Sequence, residues 1–209
     1  MYFDSNENLI DYLSEYSFFD ENLKRAFLAV DRKKFVPKDA KEFVYQDSAL
    51  PLFEGQTISQ PTTVAFMLSL LDVRKGEKIL DIGAGSGWTS ALLANLSGKE
   101  GLVFAFEINK EVGTFGKDNL EKAGFENVRY FIESAEKRWR DFAPYDKIHS
   151  GAGFEKIPKD LKKFLKIGGI LVAPTQAGDV RKIVRKSEDD FEEKIFPGFV
   201  FVPFIEMQR

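Results

Sequence analysis

Residues 79–93 read Ile-Leu-Asp-Ile-Gly-Ala-Gly-Ser-Gly-Trp-Thr-Ser-Ala-Leu-Leu, "ILDIGAGSGWTSALL". A short β-like run over 77–83 leads into alternating glycines, and an apolar helical pattern over 88–97 follows. Strand, glycine turn and helix in that order form the unit from which parallel α/β sheets are built. Gly83, Gly85 and Gly87 allow a tight turn and let a ligand approach the backbone with no Cβ in the way. The N–H groups of the following helix then face whatever sits over the turn. Sheets of this kind bind ligands at the carboxyl ends of their strands, near the switch point.

The alternation continues downstream. Residues 101–107 (GLVFAFE) read as a second strand, 109–124 as a helical connection weakened by Gly113 and Gly116, and 127–133 as a third strand. A fourth strand lies within 144–152, and 156–169 leads by a helix into a strand at 170–175. Residues 179–196 read as a hairpin and 199–206 as a last strand. Upstream, apolar residues at Leu9, Ile10 and Leu13, then Leu23, Ala26, Phe27 and Val30, make 5–47 mainly helical. Residues 47–59 read as loop, and 60–73 as a helix with Pro61 in the first turn, where its missing N–H costs nothing. The expected fold class is α/β: a mostly parallel, doubly wound sheet with helices on both faces, an N-terminal helical extension and C-terminal antiparallel strands. A single domain over 1–209 is expected, with 1–75 as the helical extension and substrate-side turn and 76–209 as the cofactor-binding α/β core.

Composition narrows the chemistry. The 209 residues carry a net charge of −3 and include no cysteine and one histidine, His149. Disulfides, thiol nucleophiles and cysteine or histidine metal clusters are excluded, and no metal is expected. An acidic balance argues against a polyanion partner, so no nucleic acid is expected. No apolar stretch is long enough for a bilayer, and the acidic, polar N-terminus is unlike a signal peptide. A cytoplasmic monomer with no membrane partner is the default expectation.

The glycine spacing selects among ligands. A dinucleotide fingerprint calls for a glycine three positions after the second, but Gly85 is followed by Ser86, Gly87 and Trp88. A phosphate loop would need Gly-Lys-Ser/Thr, which is absent. Glu107 ends the next strand, where a carboxylate can accept both hydroxyls of a ribose. Asp81, the alternating glycines and Glu107 together resemble the S-adenosylmethionine-dependent methyltransferases. The resemblance implies a Rossmann-like class I methyltransferase fold and S-adenosyl-L-methionine as cofactor. It places the cofactor on Asp81, Gly83, Ala84, Gly85, Ser86, Gly87, Glu107 and Ile108. A turn that only packs helix on strand, and a solvated strand end at Glu107, are the structural alternatives.

A narrower resemblance runs from about Asp31 to the end of the chain. Phe35-Val36-Pro37, then Tyr45-x-Asp47-x-x-Leu50-Pro51-Leu52, then "GQTISQP-x-x-V-A-x-M" over 55–67, are similar to the protein-L-isoaspartate O-methyltransferase family. "FAPYDKI" (142–148), "LKIGGILVAP" (165–174) and "FVFVPF" (199–204) fit the same pattern. In that family the Gly-Gln-Thr-Ile-Ser-Gln-Pro string lies over the cofactor's methyl group, and the serine, here Ser59, lies at the substrate carboxylate. The resemblance implies a carboxyl methyltransferase acting on isoaspartyl-containing proteins or peptides, with Ser59 catalytic and Thr57, Ile58, Ser59 and Gln60 on the substrate side. The ester formed would collapse to a succinimide and revert in part to aspartate. Such a substrate brings its own nucleophile, a carboxylate ionised at neutral pH. Alignment and enclosure are then needed rather than a general base. Helix capping beside Pro61 is the structural alternative for Ser59.

Two places depart from the family pattern. After the third strand the family has Gly-Asp-Gly, whose aspartate meets the adenine amine; here Glu133-Ser134-Ala135 stands there. Ser134 takes the aspartate's position and Glu133 offers a displaced carboxylate. Within 149–158, Phe154 stands where the family typically has a proline. A methyltransferase of other specificity, for a small molecule or RNA, and a non-catalytic binding module are the competing expectations.

Overall fold

The computed structural model describes residues 1–205. The chain begins with helices α1 (Asn6–Leu13) and α2 (Glu21–Ala29), started by the side chains of Ser5 and Asp20, which accept backbone N–H groups of the first turn. Two 3-10 segments, Arg32–Lys34 and Lys38–Phe43, lead to a small antiparallel pair, β1 (Leu50–Pro51) and β2 (Thr57–Ile58), inside the stretch expected to be loop. Helix α3 (Pro61–Leu71) follows directly.

The main sheet then forms from β3 (Lys78–Ile82), β4 (Leu102–Glu107), β5 (Val128–Ile132), β6 (Tyr145–Ser150), β7 (Leu165–Thr175), β8 (Asp179–Arg185) and β9 (Phe191–Pro197). Helices α4 (Trp88–Ser97), α5 (Lys110–Ala123) and α6 (Lys159–Lys163) connect strands within it. The strand order is β5-β4-β3-β6-β7-β8-β9, parallel from β5 through β7 and antiparallel from β7 to β9. The path from β3 walks outward to β5, then returns to the far side of β3 for β6. That reversal opens a crevice at the carboxyl end of β3.

Successive side chains of a strand point to opposite faces, and this sheet has two cores. Ile79, Val103, Ala105 and Val172 face a layer built from α1 to α4, with Trp88, Ala91 and Leu92 at its centre. Leu80, Ile82, Phe104, Phe106 and Ala173 face the other way, onto Trp139, Phe154, Ile157 and Leu161. Both faces carry helix, but the second is covered thinly, by α6, the 3-10 turn Ala135–Lys137 and irregular chain.

Besides the β1–β2 pair, two local expectations fail. The helix expected over 156–169 is only Lys159–Lys163, because β7 already starts at Leu165 and pairs with β6 across an irregularity in register. The strand expected over 199–206 does not form in 199–205; the chain there meets the sheet through an isolated bridge between Gly153 and Pro203. Its last residue, Glu206, lies outside the described residues. The run from Phe199 to Ile205 is continuously apolar, and what it packs against here is loop rather than a strand. No helix among the described residues is long and apolar enough to cross a membrane.

The glycines that weaken α5 as an isolated helix are explained by packing. A Cβ on Gly116 would overlap the Gly85 carbonyl oxygen, and one on Gly87 would stand 2.8 Å from the Gly116 carbonyl oxygen. Helix α5 therefore lies directly against the turn after β3. Gly116→Ala is expected to force them apart, at about 1–3 kcal/mol. The thermal midpoint should fall by several degrees. An unchanged midpoint would mean that α5 has slack here.

Candidate active site

The turn after β3 is held by its own strand neighbours. The N–H groups of Gly83 and Ala84 both donate to the Phe106 carbonyl, at 2.9 and 3.0 Å, and Gly87 N–H donates to Ala84 O at 3.0 Å. Gly83, Gly85 and Gly87 have φ of 72°, 57° and 85°, the left-handed region that side chains with a Cβ avoid. Their surroundings differ. A Cβ on Gly83 would press on Ala152 at 3.2 Å, whereas at Gly85 only the Gly83 carbonyl oxygen lies within 4 Å. Gly85 is thus the position where a ligand can lie against the backbone.

Glu107, at the end of β4, is fixed beside that space. Its Oε2 accepts the Gly85 N–H at 3.0 Å and its Oε1 the Asn109 N–H at 2.9 Å. Burial pushes its carboxyl above the usual range, against the pull of the backbone N–H groups. Each oxygen keeps capacity for a further donor, so the carboxylate can hold a pair of hydroxyls. Asp81 is fully buried, accepts the Ser90 hydroxyl through Oδ2, and meets His149 Nδ1 at 2.8 Å through Oδ1. The carboxylate only accepts, so Nδ1 carries the proton. The single histidine, which sequence reasoning treated only as unable to form a cluster, lines the cavity beside Ile82 and Ala152.

A cavity of about 210 Å³ lies between this turn and the stretch 56–59. Thr57, Ile58 and Ser59 line it from one side; Gly83, Ala84, Gly85, Ser86, Glu107 and Ile108 line it from the other. Gly87 and Asp81 stand behind that wall. Glu133, Ser134 and Ala135 line the cavity too. The Ser134 hydroxyl also accepts the Glu136 N–H at 3.3 Å, and Glu133 faces Arg138 at 3.7 Å. Among the described residues, no group of three or more acidic or histidine side chains could hold a metal ion. The open space at Gly85, the spare acceptor capacity of Glu107 and the apolar side chain of Ile108 fit a nucleoside-bearing cofactor.

Gln60, expected on the substrate side, is turned away. Its amide donates to Asp47 Oδ2 at 3.0 Å, and it does not line the cavity. Asp47 also accepts the Thr62 N–H at 2.9 Å and the Thr62 hydroxyl at 2.8 Å. Asp47, not Ser59, therefore satisfies the free end of α3. Among the described residues the Ser59 hydroxyl has no hydrogen-bond partner, so the capping alternative for Ser59 fails. Phe154 is buried under Phe204, with ring centroids 4.5 Å apart, and backs the wall without lining it. The remaining wall, unforeseen from sequence as such, is the C-terminal stretch 201–205. It is tied on by Gly153 N–H to Val202 O and Phe204 N–H to Gly153 O, each 2.8 Å.

The family model described as protein-L-isoaspartate(D-aspartate) O-methyltransferase matches residues 4–209. The chain is 36% identical over 190 residues to the protein-L-isoaspartate O-methyltransferase of Ignicoccus hospitalis, covering 89% of this chain and 90% of the relative. It is 37% identical over 206 residues to that of Methanopyrus kandleri, covering 96% and 91%. A solved protein-L-isoaspartate O-methyltransferase superposes with a TM-score of 0.88 at 25% identity, over 97% of this chain and 66% of that longer one. A Plasmodium falciparum structure assigned to the same activity, in complex with S-adenosyl-L-homocysteine, shares the fold with a TM-score of 0.85 at 22% identity, over 96% and 98%.

The cap geometry separates two substitutions. Asp47→Ala is expected to cost about 1–2 kcal/mol of stability through the bonds lost at α3. Ser59→Ala should stay within about 0.5 kcal/mol of the parent. Denaturant unfolding of both variants checks this; equal losses would return Ser59 to a capping role.

Proposed function

The chain belongs to the protein-L-isoaspartate(D-aspartate) O-methyltransferase family, and from that premise we propose that it methylates the carboxylate of L-isoaspartyl residues in damaged proteins and peptides. The observation that carries this reading is the shared cavity: the glycine turn and the Thr57–Ser59 stretch open on one space. When bound, S-adenosyl-L-methionine supplies a methyl group on a sulfonium, which passes to a carboxylate oxygen as the sulfur–carbon bond breaks, with no proton to move.

The protein's own part is binding, alignment and enclosure. Gly83, Ala84, Gly85, Ser86 and Gly87 form the backbone cradle, with Asp81 stiffening it from beneath. Glu107 takes the ribose hydroxyls, Ile108 offers an apolar surface to the base, and Ser134 with Glu133 meets the base's edge. Thr57 and Ile58 form the substrate-side wall. Ser59 donates its hydroxyl to the substrate carboxylate, and Gln60 acts indirectly, by holding the turn to Asp47. The same reading treats 1–209 as one domain, working as a cytoplasmic monomer without nucleic-acid or membrane partners. The net charge of −3 supports the exclusion of polyanions.

The test is methyl transfer to an isoaspartyl peptide and to its aspartyl twin. Transfer to the first alone supports the proposal. Tight S-adenosyl-L-homocysteine binding with no transfer to either would leave a binding module. Ser59→Ala should lower turnover about a hundredfold, the scale of losing alignment by about an ångström, while cofactor affinity holds. Ser59→Thr should keep part of the activity, and full activity in Ser59→Ala would defeat its assigned role. Calorimetry reads the cofactor side. Protonation of Glu107 removes acceptors, and burial raises its pKa. Affinity for S-adenosyl-L-homocysteine should therefore fall on acidification, starting at a higher pH than for an ordinary glutamate. Glu107→Gln should bind more weakly and lose that pH dependence; an unchanged profile would remove Glu107 from the site.

A further inference from the structure

Arg32 is 0% exposed and forms no ion pair among the described residues. Its guanidinium instead donates to backbone carbonyls from both flanks of the β1–β2 arm. Nη1 reaches Val44 O at 2.8 Å and Gln46 O at 3.2 Å; Nη2 reaches Ser48 O at 3.0 Å, Ser59 O at 2.9 Å and Ile58 O at 3.4 Å. On its other side the guanidinium carbon lies 5.3 Å from the centre of the Trp88 ring. Trp88 is the first residue of α4, immediately after Gly87, and its indole N–H donates to Val30 O at 3.1 Å. One planar cation therefore touches the backbone of the substrate-side stretch and the residue that closes the glycine turn.

Stability alone is a weak reason for this arrangement. A buried charge carries a desolvation cost, and well-packed apolar residues often do as well. Among the described residues, Arg32 Nε moreover has no hydrogen-bond partner. What a fixed fork of donors does provide is geometry. β1 and β2 have two residues each, too little pairing to hold the arm in one shape. The carbonyls of Ile58 and Ser59, on the backbone that carries the Ser59 side chain, are tied to the guanidinium.

We propose that Arg32 is a positioning residue for methyl transfer, locking the Ile58–Ser59 backbone onto the cofactor turn through Trp88. The proposal rests on the functional reading above. The test compares full-length Arg32→Lys and Arg32→Met with Leu13→Ala, a buried-core control remote from the cavity. Cofactor affinity, kcat and KM for an isoaspartyl peptide, and amide hydrogen exchange over 44–60 are measured for each. Arg32→Lys keeps charge but lacks the fork; kcat/KM for the peptide should fall at least about tenfold, and further in Arg32→Met. S-adenosyl-L-homocysteine affinity should hold within about threefold. Exchange should rise in 44–60 but not in 78–107. Leu13→Ala should lower the melting point with normal turnover per folded molecule. If the Arg32 variants behave like Leu13→Ala, with exchange in 44–60 unchanged, the inference is wrong. If Arg32→Met fails to fold, Arg32→Lys alone decides. A parent protein inactive on the peptide would defeat the functional reading, and exchange over 44–60 would still decide whether Arg32 holds the arm.

Discussion

Helix α5 lies so close to the turn after β3 that no side chain fits between them at Gly116, and the geometry of the cavity follows from that approach. With the helix in place, the Tyr130 hydroxyl reaches the Gly85 carbonyl at 2.7 Å and Asn119 Nδ2 reaches the Ser86 carbonyl at 3.1 Å. The inner side of the turn is thereby satisfied, and Gly85 N–H is left to meet Glu107. A turn bonded on both sides holds its shape before a ligand arrives. Preorganisation of this kind lowers the cost of binding.

The polar groups around the cavity are arranged for recognition more than for proton transfer. Asp81 is enclosed by Ser90 and His149, and both oxygens of Glu107 are engaged by backbone N–H groups. Those bonds fix where each carboxylate sits. A reaction between an ionised carboxylate and a methyl sulfonium asks for no base, so carboxylates held in place by donors suit it.

The walls come from distant parts of the chain, and aromatic contacts join them. Phe66 of α3 stacks on Phe199 at 5.3 Å and meets Phe18 at 5.4 Å. The N-terminal helices, the helix after the substrate-side stretch and the C-terminal stretch are thus packed into one body around the sheet's edge. Phe204 continues the series on the opposite face, against Phe154 and Trp139. Five of the chain's 21 phenylalanines, Phe18, Phe66, Phe154, Phe199 and Phe204, take part in these contacts.

The sequence by itself determined the sheet's faces and the position of the glycine turn. Ile79 and Leu80, or Val103 and Phe104, go to opposite cores because strand periodicity dictates it, and three alternating glycines leave little but a tight turn before α4. The string from Gly55 to Pro61 was distinctive enough to point to the family. Local pattern could not reveal partners far along the chain. Asp47 lies 15 residues from the Thr62 N–H it accepts, and His149 lies 68 residues from Asp81. Gln60 belongs to the distinctive string yet turns from the cavity, because the tertiary fold brings a carboxylate to its other side. Residues 199–205 are an uninterrupted apolar run that reads as a strand, but β9 already holds the sheet's edge, and the chain crosses to Gly153 instead. Periodicity records which side of a segment is buried; which group waits on that side is decided only when the whole chain has closed.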